Sequence, residues 1–163
     1  MSTDHLRERA AASVWAAGLL CAATLAWSSA HAEGKRFAID NAIYTSECGS
    51  CHIPYPPALL PAGSWQTLLN GLDKHFGTDA TVDAKALAAL RAYLDQNGGR
   101  GRRANAEPAV LRITETGWFR HEHNEVPAAT WKSAQVKSPA NCPACHTGAA
   151  DGDYSERGIR LPR

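Results

Sequence analysis

The chain has 163 residues, of which 44% are hydrophobic, and its 17 Lys and Arg nearly balance its 16 Asp and Glu. This balance argues against a nucleic-acid-binding protein, which requires a clustered basic surface. The length leaves room for one compact unit or two small lobes once an export signal is removed. The five cysteines and seven histidines are therefore the most informative residues.

The first 32 residues have the pattern of a signal peptide. Arg7 and Arg9 precede an apolar run over 10–27, and the small-x-small sequence of a signal-peptidase site follows at 30–32. We expect cleavage after residue 32, a periplasmic protein and no membrane span in the mature chain. Because the apolar run approaches spanning length, an uncleaved anchor is the alternative.

The first predicted helix leads into a cysteine motif. Phe37, Tyr44, Cys48 and Cys51 have the i, i+7, i+11, i+14 spacing of one helix face. Cys48, Cys51 and His52 form a Cys-x-x-Cys-His pattern, by which c-type haem is attached covalently. We expect both thiols to form thioethers with haem and His52 to be an axial ligand of the iron.

A proline-rich segment and a second helix follow the first motif. Residues 53–61 contain four prolines, which exclude a regular helix and predict a wrap around the haem edge or a rigid connector. Ser64 is the predicted N-cap of a helix that stops at Gly77. The apolar stripe of this helix comprises Trp65, Leu68, Leu69 and Leu72. His75 continues that stripe and is a candidate distal ligand; a histidine favoured at a helix C-terminus by the macrodipole is the alternative.

A third helix, with a structural role, is predicted to begin near Thr81, to have Asp83 in its first turn and to end at 97–99. The basic and polar stretch 100–109 is predicted to be an exposed linker. The basic cluster at its start is a candidate docking point for an acidic partner, and a solvated linker is the alternative.

Two histidines lie near the middle of the second half. His121 and His123 fall in a short segment whose pattern fits either a helix or an extended chain. On a helix the two side chains diverge by about 200°, so only one would face a haem, whereas a strand would place both on one face. A zinc site is a weaker alternative, because a third ligand is missing.

A second attachment motif lies near the C-terminus. Cys142 and Cys145 are predicted to form thioethers, and His146 is the predicted axial ligand. Two such motifs behind an export signal predict two covalently bound haem c groups. A zinc site or a thioredoxin-like redox pair is the alternative for each Cys-x-x-Cys pair, but the further ligands or the strand-helix context they need are not evident.

The remaining ligands follow from an inventory of the chain after residue 32. Met1 is the only methionine, and Cys21 is the only cysteine outside the two motifs, so the mature protein has no methionine ligand and no thiols left for disulfides. Histidine is the leading candidate for the sixth ligand. His75, His121 and His123 therefore compete for two distal positions.

A set of segments carries a family resemblance across most of the chain after residue 32. These segments are 47–52, 55–61 with 64–65, 75–77, 118–119 with 123, 141–146 with 149–150 and 152, and 161–162. In this combination the chain resembles the bacterial dihaem cytochrome c family of exported electron carriers. The resemblance implies bis-histidine iron in both haems, with His75 as distal ligand of the first and His123, rather than His121, of the second.

The expected fold is that of a small c-type cytochrome: mainly α, with long irregular loops and little or no sheet. The resemblance implies two haem-centred lobes, over 33–99 and 110–163. It also implies a membrane b-type cytochrome as electron donor and a small monohaem c-type cytochrome as acceptor.

We expect an electron carrier rather than an enzyme, because iron with two histidine ligands has no vacant position for a substrate. Two other functions are alternatives. One is a haem enzyme or gas-binding protein with an open iron. The other is the electron-delivering dihaem subunit of a periplasmic reductase, such as nitrate reductase. Histidine in place of methionine also predicts low reduction potentials.

Overall fold

The computed structural model describes residues 37–101 and 110–162, which form short helices joined by long irregular segments. The helices are α1 (Ala42–Cys48), α2 (Ala62–Leu69), α3 (Ala84–Asn97), α4 (Gly117–Glu122) and α5 (Ala128–Trp131). Three-residue 3₁₀ turns occur at Pro57–Leu59, Leu72–Lys74, Ile113–Glu115, Cys142–Ala144, Ala149–Asp151 and Glu156–Gly158. Pairing between extended segments is limited, within the described ranges, to isolated bridges. The predicted fold class is confirmed.

Two predicted segments lie outside the described residues: the signal peptide over 1–32 and most of the linker, 102–109. The residues that are described belong to one compact unit. The division into two haem-centred lobes stays a prediction. In the part of the chain that the structure covers, no helix has the length and apolar character needed to cross a membrane.

Helix α1 is shorter than the sequence pattern predicts. The side chain of Asn41 accepts a hydrogen bond from the Tyr44 amide at 2.8 Å, which starts the helix at Ala42. Phe37 therefore lies before the helix, and Cys51 lies in the turn after it. Tyr44 and Cys48 remain on the face that packs against the core.

Helix α2 begins before the predicted N-cap and ends well before the predicted stop. Pro61, whose φ of −55° suits the first turn, occupies the N-cap position, so Ser64 lies inside the helix and is buried. The helix ends at Leu69, and a separate 3₁₀ turn over Leu72–Lys74 follows. His75 is thus placed by a tight turn rather than by a continuous helix.

Helix α3 starts three residues later than predicted. Asp83 is its N-cap and accepts a hydrogen bond from the Ala86 amide at 2.8 Å. Asp79 holds the preceding residues in a turn of their own, since its carboxylate accepts from the Thr81 amide at 2.9 Å and from the Thr81 hydroxyl at 2.6 Å. This local turn keeps Thr81 out of the helix.

The main apolar core lies between α1, α2 and α3. Its buried members are Tyr44, Leu60, Trp65, Leu69, Leu90, Tyr93 and Leu94. The Trp65 indole donates to the Pro57 carbonyl at 2.8 Å, which ties the proline-rich segment to α2. At Gly98 an added Cβ would lie 2.7 Å from the Ala62 Cα, so only glycine permits the close approach of α3 to the start of α2.

Truncation of this core has a large expected cost. Leu90→Ala removes a side chain that is only 1% exposed, so we expect it to destabilise the protein by about 2–5 kcal/mol, through lost burial and the cavity left behind. Chemical denaturation followed by far-ultraviolet circular dichroism measures this loss. Leu161→Ala, at a side chain that is 60% exposed, is the matched control and should cost little. Equal effects of the two substitutions would contradict the assignment of the core.

Hydrogen bonds between described residues join the first half of the chain to the second. The Trp118 indole donates to the Leu59 carbonyl at 3.2 Å, and the Tyr55 hydroxyl donates to the Ala140 carbonyl at 2.8 Å. The amide of residue 37 donates to the carbonyl of Gly152 at 2.9 Å. The attachment motif of the second half is therefore held close to the proline-rich segment of the first.

Candidate haem sites

The first site begins where α1 ends. Cys48 is the last residue of α1, and Cys51 and His52 follow in the turn after it. The His52 Nδ1 donates to the Ile53 carbonyl at 2.7 Å. This bond leaves the lone pair on Nε2 free and orients the ring, the arrangement that metal-binding histidines use. The Tyr55 ring stacks on His52 with centroids 4.8 Å apart.

The turn after α2 brings His75 opposite His52. Their ring centroids are 6.4 Å apart, and the ring planes are inclined by 26°. The His75 Nδ1 is buried and has no hydrogen-bond partner. Burial lowers the pKa of His75, and the nearby His52 and Arg112 lower it further, which favours the neutral imidazole that a metal ligand must be.

The second site is built around a 3₁₀ turn. Cys142–Ala144 forms the turn, which the Cys145 amide closes by donating to the Cys142 carbonyl at 3.2 Å. The His146 amide donates to the same carbonyl at 2.8 Å. His146 then pairs with Ile159 in an isolated bridge, which holds the motif against the C-terminal segment. Burial lowers the pKa of His146, and the nearby His123 adds to this effect.

His123 lies opposite His146 at the end of α4. The ring centroids are 6.1 Å apart, and the ring planes are inclined by 74°. The His123 Nδ1 donates to the Phe119 carbonyl at 2.9 Å, again leaving Nε2 free. The segment that the sequence pattern left unassigned is thus helical, with Thr116 as N-cap.

His121 lies within α4, two residues before His123, and is exposed. The structure pairs His123, rather than His121, with the second motif. The divergence of side chains two residues apart along a helix accounts for this difference.

Aromatic side chains around the second pair were not identified from the sequence. Phe119 stacks on His123 with centroids 4.0 Å apart, and Trp131 lies 5.9 Å from the same ring. Tyr154 lies 5.3 Å from His146. The spacing of four residues between Phe119 and His123 is a signal for contact on a helix, whereas the Trp131 and Tyr154 contacts depend on the tertiary fold.

Both pairs have the separation expected of two ligands on one metal ion. A metal-imidazole nitrogen distance of about 2.0–2.1 Å, as found for zinc, places the centroids of two opposed rings roughly 6 Å apart. Over 37–101 and 110–162, no group of three or more His, Cys, Asp or Glu is arranged to hold a metal ion. A two-histidine set fits haem, because the porphyrin itself supplies the other four ligands of the iron.

The cysteines fit covalent attachment better than redox exchange. No disulfide joins the four described motif cysteines, at 48, 51, 142 and 145. Burial raises the pKa of the Cys48 thiol to about 11, with a contribution from Glu47, and burial likewise raises the pKa of Cys142 to about 11. A redox-active dithiol needs a lowered pKa to form the thiolate, so the thioredoxin-like alternative loses support.

Comparisons with known proteins show the family to which this chain belongs. Residues 44–154 match the dihaem cytochrome c family. A crystal structure of DHC purified from Rhodobacter sphaeroides is 37% identical, with a TM-score of 0.63, and the match covers 72% of this chain and 100% of that chain. A diheme cytochrome type c from Shewanella baltica OS155 is 35% identical, with a TM-score of 0.66, over 77% of this chain and 95% of the other.

The comparison with curated proteins gives no match. The family match nonetheless covers well over half of the chain and includes both cysteine motifs. This protein therefore belongs to the dihaem cytochrome c family and carries two covalently bound haem c groups.

Proposed function

We propose that the protein is an exported electron carrier in which both haem irons have two histidine ligands. The observation that carries the proposal is the pair of opposed imidazoles at each cysteine motif, with centroids 6.4 Å apart for His52 and His75 and 6.1 Å apart for His123 and His146. Haem bound at each motif supplies one-electron chemistry between ferric and ferrous iron.

The residues of the chain restrict what that chemistry does. Cys48 and Cys51 hold the first haem, and Cys142 and Cys145 hold the second, through thioethers. The histidine pairs would supply two ligands to each iron, so substrates and oxygen would find no vacant position on either. Outer-sphere electron transfer to and from protein partners is the activity that remains, and the protein acts as a carrier rather than an enzyme.

The partners belong to the same proposal. A membrane b-type cytochrome supplies one electron per haem, and a small monohaem c-type cytochrome accepts it. The site of action is the periplasm, which the signal-like residues 1–32 support. Because the axial set contains no methionine, both haems have low reduction potentials compared with haems that have His and Met ligands.

Spectra of the oxidised holo-protein test the proposal. We expect two low-spin haems by electron paramagnetic resonance and no reaction with carbon monoxide after reduction. The two signals should also differ, because the imidazole planes are inclined by 26° in one pair and 74° in the other. The inclination of the ligand planes sets the splitting of the iron d orbitals. A high-spin or carbon monoxide-binding fraction would instead favour an enzyme or gas-binding protein.

Purification of the native complex tests the choice of partner. We expect the carrier to be isolated without a tightly bound enzyme. Stable association with a molybdenum-containing reductase would contradict the free carrier and favour a reductase subunit.

A further inference from the structure

A cation from the second half of the chain lies beside the distal ligand of the first site. The Arg112 guanidinium carbon is 3.8 Å from the centroid of the Phe76 ring. The Phe76 ring in turn contacts the His75 ring, with centroids 4.8 Å apart. Arg112 thus lies over the Phe76 ring, which contacts the His75 ring at an inclination of 59°, so the three side chains form a series of contacts that ends at the first haem site.

Phe76 adopts a conformation that needs support. Its φ is +49°, in the left-handed region that bulky L-residues avoid, and its side chain is 46% exposed. Because the ring is exposed, burial in the core does not explain why Phe76 keeps this conformation. The guanidinium on one face and the imidazole beside it supply the contacts that hold it.

His75 lacks the Nδ1 hydrogen bond that orients the rings of His52 and His123. His123 donates from Nδ1 to the Phe119 carbonyl, and His52 does the same to Ile53. The buried Nδ1 of His75 has no such partner, and the buried Nδ1 of His146 has none either. Because a second hydrogen bond normally fixes the orientation of a metal-bound imidazole, packing must do this for His75.

The charge of Arg112 also reaches the site. Arg112 forms an ion pair with Glu115, whose carboxylate lies 3.7 Å from Nε, and the two side chains are 47% and 55% exposed. Exposed ion pairs interact weakly, so Glu115 offsets only part of the Arg112 charge. A positive charge near haem destabilises ferric iron more than ferrous iron, because the ferric state carries the larger positive charge.

We propose that Arg112 is a positioning residue for the first haem: stacked on Phe76, it fixes the orientation of the His75 imidazole, and its charge raises the reduction potential of that haem. The proposal rests on His75 as an axial ligand, as set out under the proposed function. It makes the properties of the first haem depend on a residue of the second half.

Substitutions in the holo-protein separate the charge from the stacking. Arg112→Gln removes both, and Arg112→Lys keeps the charge without the planar group. Glu115→Gln removes the opposing charge. Arg100→Gln is the matched control, because the Arg100 guanidinium is exposed and donates to the Gln96 carbonyl at 3.0 Å, at the end of α3.

The readouts are the midpoint potential and the electron paramagnetic resonance signal of each haem. We expect Arg112→Gln to lower the equilibrium constant for reduction of the first haem about threefold, which is about 28 mV at 59 mV per tenfold change. Glu115→Gln should raise it. Arg112→Lys should keep the potential but, like Arg112→Gln, shift the low-spin signal of the first haem. The second haem should not change.

Two results would overturn the proposal. One is an Arg112→Gln protein with the same potentials and signals as Arg100→Gln, and the other is a fall in potential in Arg112→Lys as large as in Arg112→Gln. Failure of the proposed ligation gives a different result, since His75→Ala would then leave both haems low-spin. The variants leave the thioether cysteines and the axial histidines in place.

Discussion

His75→Ala is expected to open one of the two haem irons, and His123→Ala is expected to open the other. In each variant about half of the haem should become high-spin and bind carbon monoxide after reduction, because alanine leaves the sixth position without a protein ligand. His121→Ala is the matched control, because it removes an exposed imidazole from α4, the helix that ends just before His123. It should leave both haems low-spin.

Optical and electron paramagnetic resonance spectra measure these changes directly. A high-spin haem in His121→Ala, with none in His123→Ala, would contradict the assignment of the second distal ligand. His75→Met adds a test of the ligand type. Unlike alanine, methionine offers a thioether ligand, which should keep the iron low-spin and raise the reduction potential of the first haem alone.

Loss of the second haem is expected to unfold the second half of the chain while the first half keeps its core. The main core cluster consists entirely of residues from 44 to 94. The buried hydrophobic residues described in the second half are Phe119, Val136 and Ala149, and its helices α4 and α5 have only six and four residues. Helices this short are unstable without tertiary packing.

The double variant Cys142→Ala with Cys145→Ala tests this expectation once non-covalently held haem has been extracted. Trypsin should then cleave rapidly after Arg120 and Lys132 and slowly after Lys85, in α3. The matched variant, Cys48→Ala with Cys51→Ala, loses the first haem instead. Cleavage in α3 of this variant should be slower than cleavage in the second half of the Cys142→Ala, Cys145→Ala variant. Equal protection of both halves in the first variant would show that the second half folds without its haem.

Local chemistry explains why the cofactor could be predicted from the sequence. Each attachment motif consists of five consecutive residues, 48–52 and 142–146, so its chemistry does not depend on distant contacts. The absence of methionine after residue 1 is likewise a property of composition. The mainly helical fold class followed from apolar spacing together with turn residues.

Helix ends could be predicted less well, because neighbouring capping groups compete. Ser64 is a good N-cap by type, but Pro61 starts α2 earlier and leaves Ser64 buried. Thr81 is drawn into a turn by Asp79, and Asp83 then caps α3. His75 therefore follows a 3₁₀ turn and does not lie on the helix that the sequence pattern predicted.

By itself the sequence determined the haem-attachment chemistry and the mainly helical fold class, because each depends on residue type and short-range spacing. Only the tertiary structure decided that His75 faces His52, that His123 rather than His121 faces His146, and that Arg112 stacks beside the first site. The physical reason is that side-chain direction at the end of a short helix or turn depends on where the element stops. Contacts between distant segments then depend on how the whole chain closes around its core.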